Sequence, residues 1–111
     1  MAALTVQNMT PSASLTPTFA AAAELGDYFV NNGKIFLYFK NANAGASRVI
    51  TIHSQVLCSH GVEHDITVTV PLSSEEMAGP FSTDRFNDVS GRVQLTYADH
   101  EDLTIAAISI P

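Results

Sequence analysis

Apolar and polar residues alternate with a period of two along most of this chain, and that period restricts it to strands with one buried face. Ile66, Val68 and Val70 alternate with Thr67 and Thr69 and stop at Pro71, which cannot donate to a ladder. Ile50 and Ile52 alternate with Thr51 and His53, and Val93, Leu95 and Tyr97 alternate with Gln94 and Thr96. Two stretches are apolar on both faces. Lys34 to Lys40 sets Ile35, Leu37 and Phe39 against Phe36 and Tyr38, and Leu103 to Ile110 sets Leu103, Ile105 and Ala107 against Ala106, Ile108 and Ile110. A strand of that kind needs cover on both sides, from its own domain or from a partner. Phe19 to Leu25, an alanine run that follows Pro17 and ends at Gly26, reads as a strand entering the sheet in preference to a two-turn helix.

Turn signals separate these runs. Asn31-Asn32-Gly33 marks a tight turn, and Asn41 to Gly45 and Asp99 to Asp102 read as hairpin-like connections. Pro71 to Asp84 reads as a longer connection holding Glu75, Glu76 and Gly79-Pro80, and Phe86 to Gly91 closes a further loop. Seven or eight short strands spaced in this way predict an all-β fold: a single β-sandwich, of which the jelly roll is one form. Residues 1–18, Thr-, Ser- and Pro-rich from position 8, are expected to form an extended N-terminal arm, and residues 19–111 the sandwich domain.

Charge narrows the function. Only 14% of the 111 residues are charged, against a usual quarter, so part of the surface is expected to be hidden in an oligomer or assembly. The net charge is -6, and Lys34, Lys40, Arg48, Arg85 and Arg92 are the cations. Five scattered cations make no basic face for nucleic acid or for an anionic membrane. No uncharged apolar stretch reaches the about 18 residues of a membrane span. The first residues lack the basic-then-apolar order of a signal peptide, so synthesis in the cytoplasm is expected. Cys58 is the only cysteine and forms no disulfide within the chain.

Candidate chemistry is sparse. Cys58, His60 and His64 could supply three zinc ligands, with His53, His100 or Glu63 as a fourth, but a polar loop between strands accounts for the same residues and is favoured. Asp84, Asn87 and Asp88 lack the spacing of a calcium loop, and Asp99, Glu101 and Asp102 read as a solvated turn. A sugar cleft would want more aromatic residues, and Trp is absent. No nucleotide-binding, nucleophile-elbow or zinc-protease motif occurs, so neither an enzyme nor a cofactor is expected. Tyr28, Phe29, Phe36, Tyr38, Phe39, Phe81 and Phe86 read first as core, with Phe81 and Phe86, in the loop region, also candidate interface anchors. Leu103, Ile105, Ile108 and Ile110 join them as candidate interface residues, because one sandwich interface buries only one face of their strand unless the strand is central and a loop covers the other, an alternative of nearly equal weight.

Taken in order, several short segments resemble small structural proteins of tailed bacteriophages. They are Gly26-Asp27-Tyr28-Phe29-Val30-Asn31-Asn32-Gly33, the strand Phe36-Leu37-Tyr38-Phe39-Lys40-Asn41, the strand end Val68 to Pro71, and Gly79-Pro80-Phe81. Phe86-Asn87-Asp88 with Gly91, the strand Val93 to Tyr97, and Thr104-Ile105-Ala106 complete the pattern, which spans about residues 19 to 110. Residues 1–18 and the Cys58-to-His64 stretch depart from it. The resemblance implies a virion protein, a capsid decoration (cement) protein that binds the major capsid protein on the outer shell, commonly as a trimer. It carries over no catalytic residue, and it does not separate a shell protein from a neck or tail component. A soluble ligand-binding β-sandwich module, for carbohydrate for example, is the alternative, since fold alone does not decide between them.

Overall fold

The alternating segments become strands whose apolar sides meet across a shared interior. In a computed structural model, which describes residues 1–55 and 65–111, two mixed sheets pack face to face. The strands are β1 (Ala2–Ala3), β2 (Val6–Asn8), β3 (Ala20–Ala21), β4 (Asp27–Val30), β5 (Ile35–Asn41), β6 (Arg48–Ile52), β7 (Ile66–Val70), β8 (Glu75–Ala78), β9 (Arg92–Tyr97) and β10 (Leu103–Ser109). A single helical turn, α1 (Thr83–Phe86), precedes β9. One sheet has the order β1-β4-β9-β6-β7; the other runs β2-β10-β5-β8, with β3 also on the β10 edge.

Strands β3 to β10 pair only antiparallel, and every connection among them crosses between the sheets except that from β6 to β7. That wiring is an eight-stranded jelly roll. The connections at Asn41 to Gly45 and Asp99 to Asp102 are therefore crossovers and not hairpins. Their composition marks a turn, but it does not say which sheet the next strand joins.

Phe29, Ile50, Ile52, Val93 and Leu95 of one sheet and Ile35, Leu37, Phe39, Leu103 and Ile105 of the other form the buried interior. Each large aliphatic or aromatic side chain so buried contributes roughly 1.5–3 kcal/mol. Phe81 and Phe86 close one end of this core, with ring centroids 6.1 Å apart for Phe29–Phe81 and 5.4 Å for Phe81–Phe86. Gly26 turns the chain into β4 at φ +96, where a Cβ would sit 2.5 Å from the Leu95 carbonyl oxygen.

Strand β10 is central, and the chain itself covers both of its faces. Ala106 stands opposite Tyr38, and the β3 register carries Phe19 alongside it. The Phe19 and Tyr38 rings meet edge to face at 5.2 Å over this small residue, leaving Ala106 1% exposed. On the same face Gln7 lies opposite Ile108.

Two expectations change. Of residues 1–18, expected as an extended arm, the first eight are built into the sheets: β1 pairs in parallel with β4, β2 pairs in parallel with β10, and Leu4 is buried. Leu4 and Val6 form a buried face too short to stand out in the sequence. Strand β8 lies inside what reads as a loop; its side chains are mostly exposed, so no alternation reveals it. Cross-strand pairing with β5 holds it, with a Tyr38 hydroxyl bond to Glu75 at 2.8 Å and a Lys40–Glu75 ion pair at 3.6 Å.

Candidate interaction surface

Five of the six side chains expected at an interface belong to the interior of the protomer. Leu103, Ile105, Ile108, Phe81 and Phe86 are all buried, and Ile110, 43% exposed, is the only one that reaches the surface. Apolarity selected them, and a central strand with a self-made cover satisfies it without a partner. Cys58, His60, Glu63 and His64 lie outside the described residues. His53 bonds to the Thr96 hydroxyl at 2.8 Å and stands 3.3 Å from the Asp65 carboxylate, which also accepts the Ser54 N–H. Among the described residues no group of three His, Cys, Asp or Glu side chains is placed to hold a metal.

Several of the described polar residues at both loop ends bond within the fold. The Asn31 amide donates to the Asn87 side chain at 2.8 Å and to the Phe81 carbonyl at 3.0 Å. Asp88 accepts the N–H groups of Ser90 and Arg92 and the Gln94 amide. Those bonds, the Gln94 amide first, hold its carboxyl below the ordinary carboxylate range. At the opposite end, buried Asn41 donates to the carbonyls of Ala46, Val70 and Pro71. Arg48, also buried, donates to the Glu101 carbonyl and pairs with Asp99 at 3.6 Å. Asp102 accepts the Asn43 amide, so the acidic turn is bonded to its neighbours.

A different set of residues forms an exposed cluster. In β4, Asp27 and Phe29 point inward, which turns Tyr28 and Val30 out. The β4–β9 register sets Tyr28 opposite Gln94 and Val30 opposite Arg92. The Arg92 guanidinium carbon lies 4.5 Å from the centre of the Tyr28 ring, close enough for a cation–π contact. Met1, Tyr28, Asp88, Arg92 and Gln94 line a depression of about 340 Å³. Around it, Met1, Val30 and Val89 are exposed, Val30 at 62%. The Asn31 N–H bonds to the Gly91 carbonyl at 3.0 Å, which holds the Val89 turn against the end of β4.

Tyr, Arg and Met are the side chains that protein interfaces concentrate, and a stacked Tyr–Arg pair loses little freedom on binding. Sequence reading groups Tyr28 with Phe29 as core. The inward parity of Asp27 and Phe29 was the available signal, but a buried aspartate conceals it. No protein-family model matches the chain, nor does any curated protein or solved structure, and its function is therefore argued from its own residues.

Proposed function

We propose that this protein is a non-enzymatic structural component of a virion, a capsid decoration protein that binds the outer surface of the shell as a trimer. The observation that carries the reading is the Tyr28–Arg92 pair, ringed by exposed Met1, Val30 and Val89, on a charge-poor jelly roll. This surface suits docking against other protein, and jelly rolls are frequent in viral shells, although the fold also serves lectins. The resemblance of residues 19–110 to small phage structural proteins supports the same class. The net charge of -6 favours the outer face over the DNA-facing interior. Repeated copies on a lattice turn modest single contacts into firm attachment when several engage at once.

The test has two parts. The coding gene should lie beside genes for a major capsid protein and a portal. Shells assembled from that capsid protein should then retain the purified protein on sedimentation. Arg92→Glu should abolish retention while leaving the circular dichroism spectrum unchanged. Wild-type protein that stays in the supernatant at saturating shell concentration overturns the proposal, and retention by a glycan array in its place would favour the ligand-binding alternative.

A further inference from the structure

Strands β3 to β10 complete the jelly roll without residues 1–8, which are added at one edge of each sheet. Their pairings, β1 with β4 and β2 with β10, are the only parallel ones among the described residues. The N–H groups of Ala2, Leu4 and Met9 donate to the carbonyls of Gly26, Tyr28 and Ser109 at 3.1, 2.8 and 2.9 Å. Leu4 is 8% exposed, and Val6 packs against the same core. A cleft of about 360 Å³ remains beside them, lined by Leu4, Thr5, Gln7, Phe19, Ile105 and Ala107 among others. The segment is thus seated by edge hydrogen bonds, by two aliphatic side chains and by the Gln7 amide, which donates to the Thr18 carbonyl at 2.7 Å and accepts the Thr18 N–H at 2.8 Å, next to space that it does not fill.

The connection back to the body, residues 9–19, belongs to no strand of either sheet and contains Pro11 and Pro17. No charged side chain occurs before Glu24, in a chain whose net charge is -6.

We propose that residues 1–8 exchange between copies of this protein, with β1 and β2 of one subunit seated on β4 and β10 of its neighbour. The acceptor edges of the neighbour are identical to the segment's own, so the exchanged form keeps every contact described above, and concentration decides the balance. Residues 10–17, between the anchored Met9 and Thr18, span about 26 Å when extended, more than the 20 Å short dimension of the molecule, so the segment can reach an abutting copy. The two prolines favour an extended connection. A segment without acidic side chains also approaches an acidic neighbour without like-charge repulsion. The inference goes beyond the shell-binding reading and is tested without any capsid.

Ala3 and Tyr28 are register partners on an outward face, so a disulfide between them reports which copy the segment occupies. The full-length chain carrying Cys58→Ser, Ala3→Cys and Tyr28→Cys is prepared with and without isotope label. Equal amounts are refolded together over a series of concentrations and oxidised, and cleavage after Glu24 separates the two cysteines. Peptides joining a labelled to an unlabelled chain should rise with concentration toward half of all links, the statistical limit for full exchange. Links confined to one isotope at every concentration overturn the proposal. A second chain, wild type but lacking Ser12 to Thr16, shortens the connection and should run as a dimer or larger species with an unchanged β-sheet spectrum. A folded monomer from that chain also overturns it.

Discussion

Replacing Tyr97 by Phe removes one oxygen atom from the interior and tests how this sandwich tolerates an aspartate in its core. Asp27 is 1% exposed, faces inward on β4, and takes part in no ion pair among the described residues. Its Oδ2 accepts the Tyr97 hydroxyl at 2.5 Å and the Ala23 N–H at 3.1 Å. Without the hydroxyl, the carboxylate keeps a single donor in an apolar setting. A hydrogen bond to a charged group contributes about 1.5–3 kcal/mol, and Tyr97 is only partly buried, so a loss of about 2 kcal/mol is expected. For a domain of this size that lowers Tm by roughly 8–10 °C. Asp27→Asn keeps an acceptor for both donors and should cost less than about 1 kcal/mol.

The same pair has a pH signature. Burial, then the bond to Asp27, pushes the Tyr97 phenol far above its ordinary value of 10.0. The unfolded chain releases that proton near pH 10 while the folded chain holds it. This contribution is therefore complete below about pH 10 and is lost as pH rises above it. Denaturant titrations of wild type and Tyr97→Phe at neutral pH and at alkaline pH read both effects. A neutral-pH loss under about 0.5 kcal/mol, or an identical alkaline decline in both proteins, would refute the reasoning and show that solvent satisfies Asp27.

Asn41→Asp replaces donors to three carbonyls by a second set of acceptors and should cost about 3 kcal/mol or more, measured by urea denaturation. Ile105→Ala, at a position 1% exposed, should cost about 2–5 kcal/mol by the same assay. Asp88→Ala should release the Ser90–Arg92 turn and lower Tm by a few degrees in calorimetry at neutral pH. Because the Asp88 carboxyl is held below its ordinary value, its contribution is present above about pH 4 and fades as pH falls further, so wild type and variant should converge in acid.

The strands that alternate cleanly, β6, β7 and β9, were legible because each turns one face of apolar residues to the core and a polar face away from it. Strand β10 was legible as a strand but not in its surroundings. Two apolar faces suggest a missing partner, and only the tertiary fold shows Phe19 and Tyr38 closing over Ala106. Strand β8 was hidden because only Ala78 of it packs on the core, while Glu75, Glu76 and Met77 face solvent and the pairing with β5 leaves no mark in the sequence. Strands β1 and β2 are too short to show a period. The Tyr28–Arg92 pair could not be read either, since it depends on the β4–β9 register, which joins residues far apart in the chain. Polar residues of the turns supply structural bonds: Asn31, Asn87 and Asp88 hold one end of the sandwich, and Asn41, Arg48 and Asp99 hold the other.

The parallel pairing of β2 with β10 also decides how the molecule bears tension. A pull on the two chain ends draws β2 backward along its axis and β10 forward along the same axis. Because the strands run in the same direction, their bonds from Ala107–Val6 to Ser109–Asn8 are loaded in shear and must yield together. An antiparallel strand in that place would put both ends on one side and let the bonds open one after another. The first eight residues therefore make end-to-end stretching a shearing event at the central strand, so a subunit held by its termini would resist force along that axis more than force that peels β8 from the opposite edge.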